Sequence, residues 1–294
     1  MLAVLKILPN EFAPAYIKAL FRFNHPRPPR YRDLHVPWSL RKWYVGNCSI
    51  GDLSLLGGVP LRDLLKEHTL LHFFNDLALS KHQRGESVDD STIASSPVMH
   101  LPRQQAFLCP CCVENDIDRF GRSYWHADHQ LPGIYECPTH EGASLRAVDN
   151  WDHQEFWFSP GEIQLESFVQ PGWLEWMRHD VIHCYEAIAF FMARWEGNLN
   201  RHDLVPLFRS RLSKFGVRSD LPHFVMSKYP DAWLESLIAS WNKTVTSPRY
   251  GLTALSNTFG INRARRVFVC VVAAVLWPTP TEGIAALTAL DITD

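Results

Sequence analysis

The sequence lacks an apolar stretch long enough to cross a membrane. Its longest apolar run, Val267 to Trp277, is about half of the roughly 20 residues that a membrane helix needs. The short apolar start, Met1 to Leu8, leads directly into Pro9 and does not have the form of a secretory signal peptide. We therefore expect a cytoplasmic protein with no membrane partner.

The chain also lacks a large net charge, because 29 basic and 31 acidic side chains leave −2 at pH 7. Any nucleic-acid role must therefore rest on local groups. In Arg22–Lys42, six basic residues stand against Asp33 alone, with Tyr31, Trp38 and Trp43 among or beside them. Such a segment suits contact with phosphate or a partner, or it packs its aromatic rings on a core. Two later groups fit either nucleic acid or a solvated helix face. The candidates for contact are Arg27, Arg30, Arg32, Arg41, Lys42, Arg209, Arg211, Lys214, Arg218, Arg263, Arg265 and Arg266.

Several catalytic motifs are missing. The Gly57-Gly58 pair lacks the lysine and the spacing of a phosphate-binding loop, and no H-E-x-x-H zinc motif occurs. The P-C-x-x-C element of the zinc deaminases is also absent. We predict that the protein is not an enzyme and has no catalytic residues.

The seven cysteines are clustered rather than spread, which favours a metal site in a reduced chain over a disulfide framework. Cys109-Pro-Cys-Cys112 and Cys137-Pro-Thr-His140 are two ligand pairs, separated by 24 residues. Two such pairs can complete a tetrahedral Cys3His zinc site, with Cys111 as a bystander. Since four protein ligands leave no open position, we predict one structural zinc per chain, held by Cys109, Cys112, Cys137 and His140.

A nuclease is the competing interpretation. Asp128–Pro132 reads D-H-Q-L-P, similar to the first element of zinc-supported HNH nucleases, in which the histidine is the general base. Only four residues separate Pro132 from Cys137, too few for the loop and strand that such a site needs. The other interpretation is that Asp128 and His129 form hydrogen bonds within the loop between the two ligand pairs.

Helical periodicity predicts a mainly α fold, with helical N- and C-terminal regions around a small zinc-knuckle, or zinc-ribbon-like, module. Within Ser49–Phe74, a short helix ends at Gly57-Gly58 and Pro60 opens the next, which is compatible with a helix-turn-helix and a stand-alone, sequence-specific DNA-binding regulator. The expected segments are a helical region at 1–79, a polar linker at 80–106, the zinc module at 107–150, a connecting segment at 151–170, a helical region at 171–280 and a loose tail at 281–294.

The stretch from Cys109 to Leu145 resembles the TniQ/TnsD family of transposon target-selection proteins. The family pattern combines C-P-x-C, a glycine followed by an aromatic-tryptophan pair, H-Q-L-P-G and C-P-x-H. Weaker similarities lie in Leu64–Phe74 and Leu207–Ser219. The pattern falls on Cys109, Cys112, Gly121, Tyr124, Trp125, His129–Gly133, Cys137, His140 and Leu145.

The resemblance implies an adaptor in bacterial DNA transposition. Members of the family link a target DNA, or an RNA-guided complex of the CRISPR Cascade type, to an AAA+ ATPase regulator of the TnsC or TniB type. Some form dimers, so a homodimer is a further expectation. Many relatives carry a second cysteine pair, but here no cysteine lies between Cys137 and Cys184, which leaves one expected zinc.

Overall fold

The computed structural model is mainly helical, as predicted. It describes residues 5–24, 48–74, 103, 105–148, 156, 158–163, 171–195, 197, 199, 201–217, 221–239 and 266–292. The chain forms two compact units. The first comprises Met1–Leu71 with Asp89–Val169, and the second comprises His72–Val88 with Gln170–Asp294. The finer division into six segments stays a prediction, apart from the tail.

The described residues form short helices and one two-stranded antiparallel sheet. The helices from the N-terminus to the predicted zinc module are α1 (Ala13–Asn24), α2 (Ile50–Gly57), α3 (Leu61–His68), α4 (Leu71–Phe74) and α5 (Pro110–Phe120). The strands are β1 (Phe107–Leu108) and β2 (Arg146–Ala147), and 3-10 turns occupy Asp128–Gln130 and Pro160–Glu162. The later helices are α6 (Pro171–Trp176), α7 (Asp180–Arg194), α8 (Arg201–Ser213), α9 (Leu221–Met226), α10 (Asp231–Ala239), α11 (Arg266–Leu276) and α12 (Pro280–Thr288), before a 3-10 turn at Ala289–Ile292.

Helices α2 and α3 pack against each other around a glycine turn. Ser49 caps α2 in a capping box with Asp52, an arrangement that stabilises a helix by about 1 kcal/mol. Gly58 ends α2 in the left-handed conformation, with φ of 62°, and Pro60 precedes α3. The predicted helix boundaries are therefore confirmed, whereas the reading of DNA by this pair stays a prediction.

Helix α1 supplies one wall of the core of the first unit. Tyr16, Ile17 and Leu20 are buried at the helical spacing that the sequence predicts. They pack in one cluster with Ile50 of α2 and Leu64 of α3. Burying each large apolar side chain contributes about 1.5–3 kcal/mol, so this cluster positions α1, α2 and α3 together.

The apolar run near the C-terminus is a buried helix of the second unit. Helix α11 is buried on most of its surface and packs against α7 and α12. The Tyr229 hydroxyl donates to the Val271 carbonyl at 2.9 Å, which ties the α9–α10 turn to α11. Within the described ranges, no helix combines the length and apolar character that a membrane crossing requires.

The expectation of a loose tail is wrong for its first part, because residues 280–288 form α12. Thr279 caps this helix by accepting the N–H of Glu282, and Pro280 occupies the first helical position. Glu282 also places a carboxylate in the first turn, where the helix dipole favours it. Gly283 and Leu287 are buried on one face of α12, so both the Thr279 cap and packing stabilise this helix.

Candidate metal centre

The first ligand pair is built on a strand-to-helix junction. Strand β1 leads into Cys109, which is the N-cap residue of α5, and Pro110 takes the first helical position. Cys112 then lies in the first turn, where the Val113 N–H donates to the Cys109 carbonyl at 3.1 Å. Both cysteines therefore lie in the first turn of α5 or at its N-cap, so the helix fixes their relative position.

The second ligand pair is built on a tight loop. The Cys137 N–H donates to the Ala143 carbonyl at 2.9 Å, and the Ala143 N–H donates back to the His140 carbonyl at 3.0 Å. Within this loop the Thr139 N–H donates to the Cys137 sulfur at 3.4 Å. A backbone donor that follows the Cys-Pro pair thus reaches the sulfur.

The four predicted ligands come together at distances typical of one coordination shell. Cys112 Sγ lies 3.6 Å from Cys137 Sγ and 3.3 Å from His140 Nδ1. His140 Nδ1 lies 3.5 Å from Cys137 Sγ and 3.7 Å from Cys109 Sγ. Neighbouring ligand atoms of a tetrahedral zinc site are about 3.5–3.8 Å apart, given Zn–S and Zn–N bonds of about 2.3 and 2.0–2.1 Å. The cluster is therefore compatible with a structural metal ion.

The burial and electrostatics of these four side chains suit a cation. The three sulfurs of the cluster are buried, whereas Cys111 is exposed and is not one of the four cluster members. Hydrogen bonds from the Cys109 and Cys112 thiols lower the pKa of Cys137, which favours its thiolate. The hydrogen bond to Cys137 raises the pKa of His140.

Gln130 anchors the loop between the ligand pairs to β1. Its side-chain amide donates to the Phe107 carbonyl at 2.7 Å, and its carbonyl oxygen accepts the Phe107 N–H at 3.1 Å. The Gln130 side chain thus forms with Phe107 the two backbone hydrogen bonds that a residue of a neighbouring strand would form. Leu131 follows it with full burial, and Gly133 turns the chain with φ of 74°.

Arg103 is a site residue that no sequence pattern indicates. It is buried and donates to the carbonyls of His129, Leu131 and Ile134, at 3.3, 3.2 and 2.7 Å. Its guanidinium also lies 3.2 Å from the centre of the Phe107 ring. One arginine therefore fixes the backbone of the loop from both sides of Pro132. A single arginine in a polar stretch has no spacing that would identify it.

Asp128 and His129 have partners that do not favour a nuclease. The Asp128 carboxylate is buried and accepts a hydrogen bond from the Asn10 amide at 3.0 Å, so its partner lies outside the predicted loop. His129 is 2% exposed, and burial lowers its pKa to about 3. Its Nε2 lies 3.6 Å from Cys137 Sγ and 3.8 Å from Cys112 Sγ. A general base must reach its substrate, and neither side chain is placed to touch a phosphate backbone.

The segment before α1 pairs with the loop between the two halves of the Cys/His cluster. The Phe12 N–H donates to the Trp125 carbonyl at 2.6 Å, and the Ala127 N–H donates to the Asn10 carbonyl at 2.8 Å. Between these bonds, Glu11 is 1% exposed and forms an ion pair with Arg122. Helices α1 to α3 and the Cys/His cluster therefore belong to one folded unit.

The basic residues that we predicted to contact nucleic acid or a partner differ in their exposure and hydrogen bonds. Arg209 on α8 and Lys214, just after its end, are exposed, whereas Arg211 donates to the Leu276 carbonyl at 2.8 Å. The prediction that Arg266 contacts nucleic acid is wrong. Arg266 is 7% exposed and donates to the carbonyls of Met192, in the last turn of α7, and of Trp195 and Gly197, which follow that helix. The candidates outside the described residues are Arg27, Arg30, Arg32, Arg41, Lys42, Arg218, Arg263 and Arg265.

Comparison with known proteins finds similarity to a protein family and to a transposition protein. Residues 3–143 match the family model described as TniQ. Over 118 residues the chain is 31% identical to the Transposon Tn7 transposition protein TnsD of Escherichia coli. That similarity covers 36% of this chain and 23% of the relative, so the chain matches about a quarter of the relative's length.

Proposed function

The chain belongs to the TniQ/TnsD family, and we propose that it is a target-selection adaptor in DNA transposition. The observation that carries the proposal is the TniQ match over residues 3–143. This match spans α1, α2, α3 and all four members of the Cys/His cluster. The similarity thus covers a folded unit rather than an isolated motif.

We propose that the Cys/His cluster binds one structural zinc ion per chain through Cys109, Cys112, Cys137 and His140, in a zinc-knuckle module. Three thiols and an imidazole are soft and borderline donors that suit zinc. Four protein ligands leave no position for a substrate or a reactive water, so the ion stabilises the fold. The pairing of Asn10–Phe12 with Trp125–Ala127 carries this stabilisation to the start of α1.

The proposed partners are an AAA+ regulator of the TnsC or TniB type on one side, and target DNA or a Cascade-type complex on the other. Exposed apolar side chains on the first unit give positions at which protein contact can be tested. Leu55 on α2 is 85% exposed and Phe23 on α1 is 59% exposed. Single apolar residues are normal on a protein surface, so a substitution has to decide whether these two contact a partner. Among the residues that the structure describes, Arg209 and Lys214 are exposed and are candidates for contact with phosphate.

A co-purification experiment tests the adaptor proposal. The chain would be mixed with the AAA+ ATPase encoded in the same mobile element, with and without ATP, and analysed by size-exclusion chromatography. We expect a stable complex that Leu55→Asp weakens by at least tenfold and that Leu174→Asp, a matched change on α6, leaves unchanged. An ATPase that elutes alone under every nucleotide condition would contradict this part of the proposal.

A stand-alone DNA-binding regulator is the second candidate, and the α2–α3 pair is the observation that favours it. Two short helices around Gly58, the first of them capped by Ser49, are compatible with a DNA-reading unit. Electrophoretic mobility shift with genomic fragments distinguishes the two functions. Tight, sequence-specific binding by the chain alone supports the regulator, whereas weak and salt-sensitive binding supports the adaptor.

A further inference from the structure

We infer that His129 is a hydrogen-bond donor to the metal-site thiolates, and that its Nε2–H is shared between Cys112 and Cys137. This inference rests on the proposed metal site and adds a positioning residue outside the ligand set. It also gives a role to the histidine of the H-Q-L-P-G stretch, which the nuclease interpretation would have made a base.

The distances support a donor rather than a fifth ligand. His129 Nε2 lies 3.6 and 3.8 Å from two sulfurs that are themselves 3.6 Å apart, so it caps the edge between them. Both distances fall within the range of N–H···S hydrogen bonds. Structural zinc sites are almost always four-coordinate, and His140 with the three cysteines already completes that number. His129 Nε2 then forms hydrogen bonds to the sulfurs of Cys112 and Cys137 and does not coordinate the ion.

The chemistry of a bound thiolate places the proton on the histidine. A thiolate sulfur that binds a metal carries no hydrogen and can only accept a hydrogen bond. An imidazole nitrogen without a proton would direct its lone pair at two electron-rich sulfurs. The nitrogen that faces Cys112 and Cys137 must therefore be the N–H form, with the proton on Nε2.

The environment explains why a protein donor is needed. Three thiolates exceed the charge of one divalent ion by a single negative charge, and burying an uncompensated charge is costly. Cys112 and Cys137 are 4% and 3% exposed, so solvent has little access to these sulfurs. The His129 N–H and the Thr139 N–H are the donors that reach them from outside the ligand set within the described residues.

The surroundings of His129 hold the donor in place. Arg103 binds the His129 carbonyl, and Gln130 fixes the next residue to Phe107. The His126 ring lies 4.8 Å from the His129 ring, centre to centre, and Asp116 holds His126 through a 2.9 Å contact. Because the ring is already fixed in the fold, its hydrogen bond to sulfur requires little additional ordering.

A spectroscopic experiment on the unaltered chain tests the inference. The full chain would be loaded with ¹¹³Cd and labelled with ¹⁵N-histidine. We expect a slowly exchanging proton on His129 Nε2 that is coupled to ¹¹³Cd through the hydrogen bond. An unprotonated Nε2, or a direct one-bond coupling between that nitrogen and ¹¹³Cd, would overturn the inference.

Cobalt spectra of variants provide the second test. Loss of the N–H should shift the sulfur-to-cobalt charge-transfer band of His129→Leu to longer wavelength and weaken metal binding about 10–100-fold. His129→Gln, which keeps a side-chain N–H, should recover part of both changes. His68→Leu is the control, because His68 is equally buried in the same unit but binds the Glu11 carbonyl.

The two proposals fail in different ways. If the wild-type chain binds no cobalt, both the metal site and the role of His129 are wrong. If the wild-type chain shows the expected thiolate spectrum and His129→Leu leaves the band and the affinity unchanged, only the role of His129 is wrong. Complete loss of cobalt by His129→Leu, together with full retention by His140→Ala, would make His129 a ligand and also overturn the inference.

Discussion

Glu11 and Arg122 form a bidentate ion pair that joins the segment before α1 to the loop between the two halves of the Cys/His cluster. Arg122 Nη1 lies 2.7 Å from Glu11 Oε1, and Arg122 Nη2 lies 2.8 Å from Glu11 Oε2. The Leu8 N–H donates to the same carboxylate at 2.8 Å. A carboxylate that is 1% exposed therefore has a partner for each oxygen, and the two segments are fixed against each other.

Glu11→Gln should destabilise the first unit by about 2–3 kcal/mol. Removing one member of a buried pair costs about 3–5 kcal/mol, and the partial exposure of Arg122 reduces that cost. Urea unfolding followed by tryptophan fluorescence measures the change. Glu162→Gln is the matched control: it breaks the exposed Arg22–Glu162 pair and should cost less than about 1 kcal/mol. Equal losses in the two variants would contradict the prediction.

The Arg22–Glu162 pair should also contribute a small pH-dependent term. The hydrogen bond from Arg22 lowers the pKa of Glu162 from 4.5 to about 2. Since the folded-state pKa is depressed, the stabilisation is present above pH 4.5 and is lost as the pH falls through 2. The difference in unfolding free energy between wild type and Glu162→Gln should therefore shrink toward zero between these values. A difference that stays constant or grows on acidification would be inconsistent with this sign.

Removal of the metal should unfold the module that contains α5. Cys137→Ser removes a ligand, and metal binding contributes directly to folding in sites of this type. We expect loss of about one zinc per chain and a lower melting temperature, measured by atomic absorption and circular dichroism. Cys111→Ser, a change of the same kind at the exposed neighbouring cysteine, should retain the metal and the wild-type melting temperature. A folded, metal-free Cys137→Ser chain would refute the structural role.

Arg266→Ala should destabilise the second unit by about 2–4 kcal/mol. Its guanidinium satisfies the carbonyls of Met192, Trp195 and Gly197, and its loss would leave buried acceptors without partners. Arg209→Ala removes an exposed arginine from α8 and should change stability by less than about 0.5 kcal/mol. Chemical denaturation compares the two variants. An Arg266→Ala chain of wild-type stability would show that these hydrogen bonds contribute little.

The Cys/His cluster could be predicted because the spacing of its members is local. Two short Cys-Pro-x-ligand pairs fix the loop geometry whatever the rest of the chain does. The Glu11–Arg122 pair spans 111 residues and Arg103 reaches its carbonyls over 26 to 31, so no periodic pattern connects them. The contacts of these residues depend on tertiary packing, so they could not be predicted from the sequence.

The other predictions that differ from the structure concern residues whose burial could not be read from the sequence. Arg266 follows other arginines in the sequence, and only its position beside the end of α7 distinguishes it from a surface cation. The α12 helix has a recognisable Thr279 cap and Pro280, but the short segment also needed the burial of Leu287 to be stable. The D-H-Q-L-P stretch matched a nuclease element by its letters, although its His129 faces the cysteines.

Mapping of transposon insertion sites tests the proposed role in target selection. Insertions would be sequenced in cells that carry the native transposase and ATPase with the wild-type chain, with Cys137→Ser, with Cys111→Ser, or with no adaptor. We expect insertions at a defined target for wild type and Cys111→Ser, and loss of that target for Cys137→Ser and for cells without the chain. An unchanged distribution of insertions in cells that lack the chain would contradict a role in target selection.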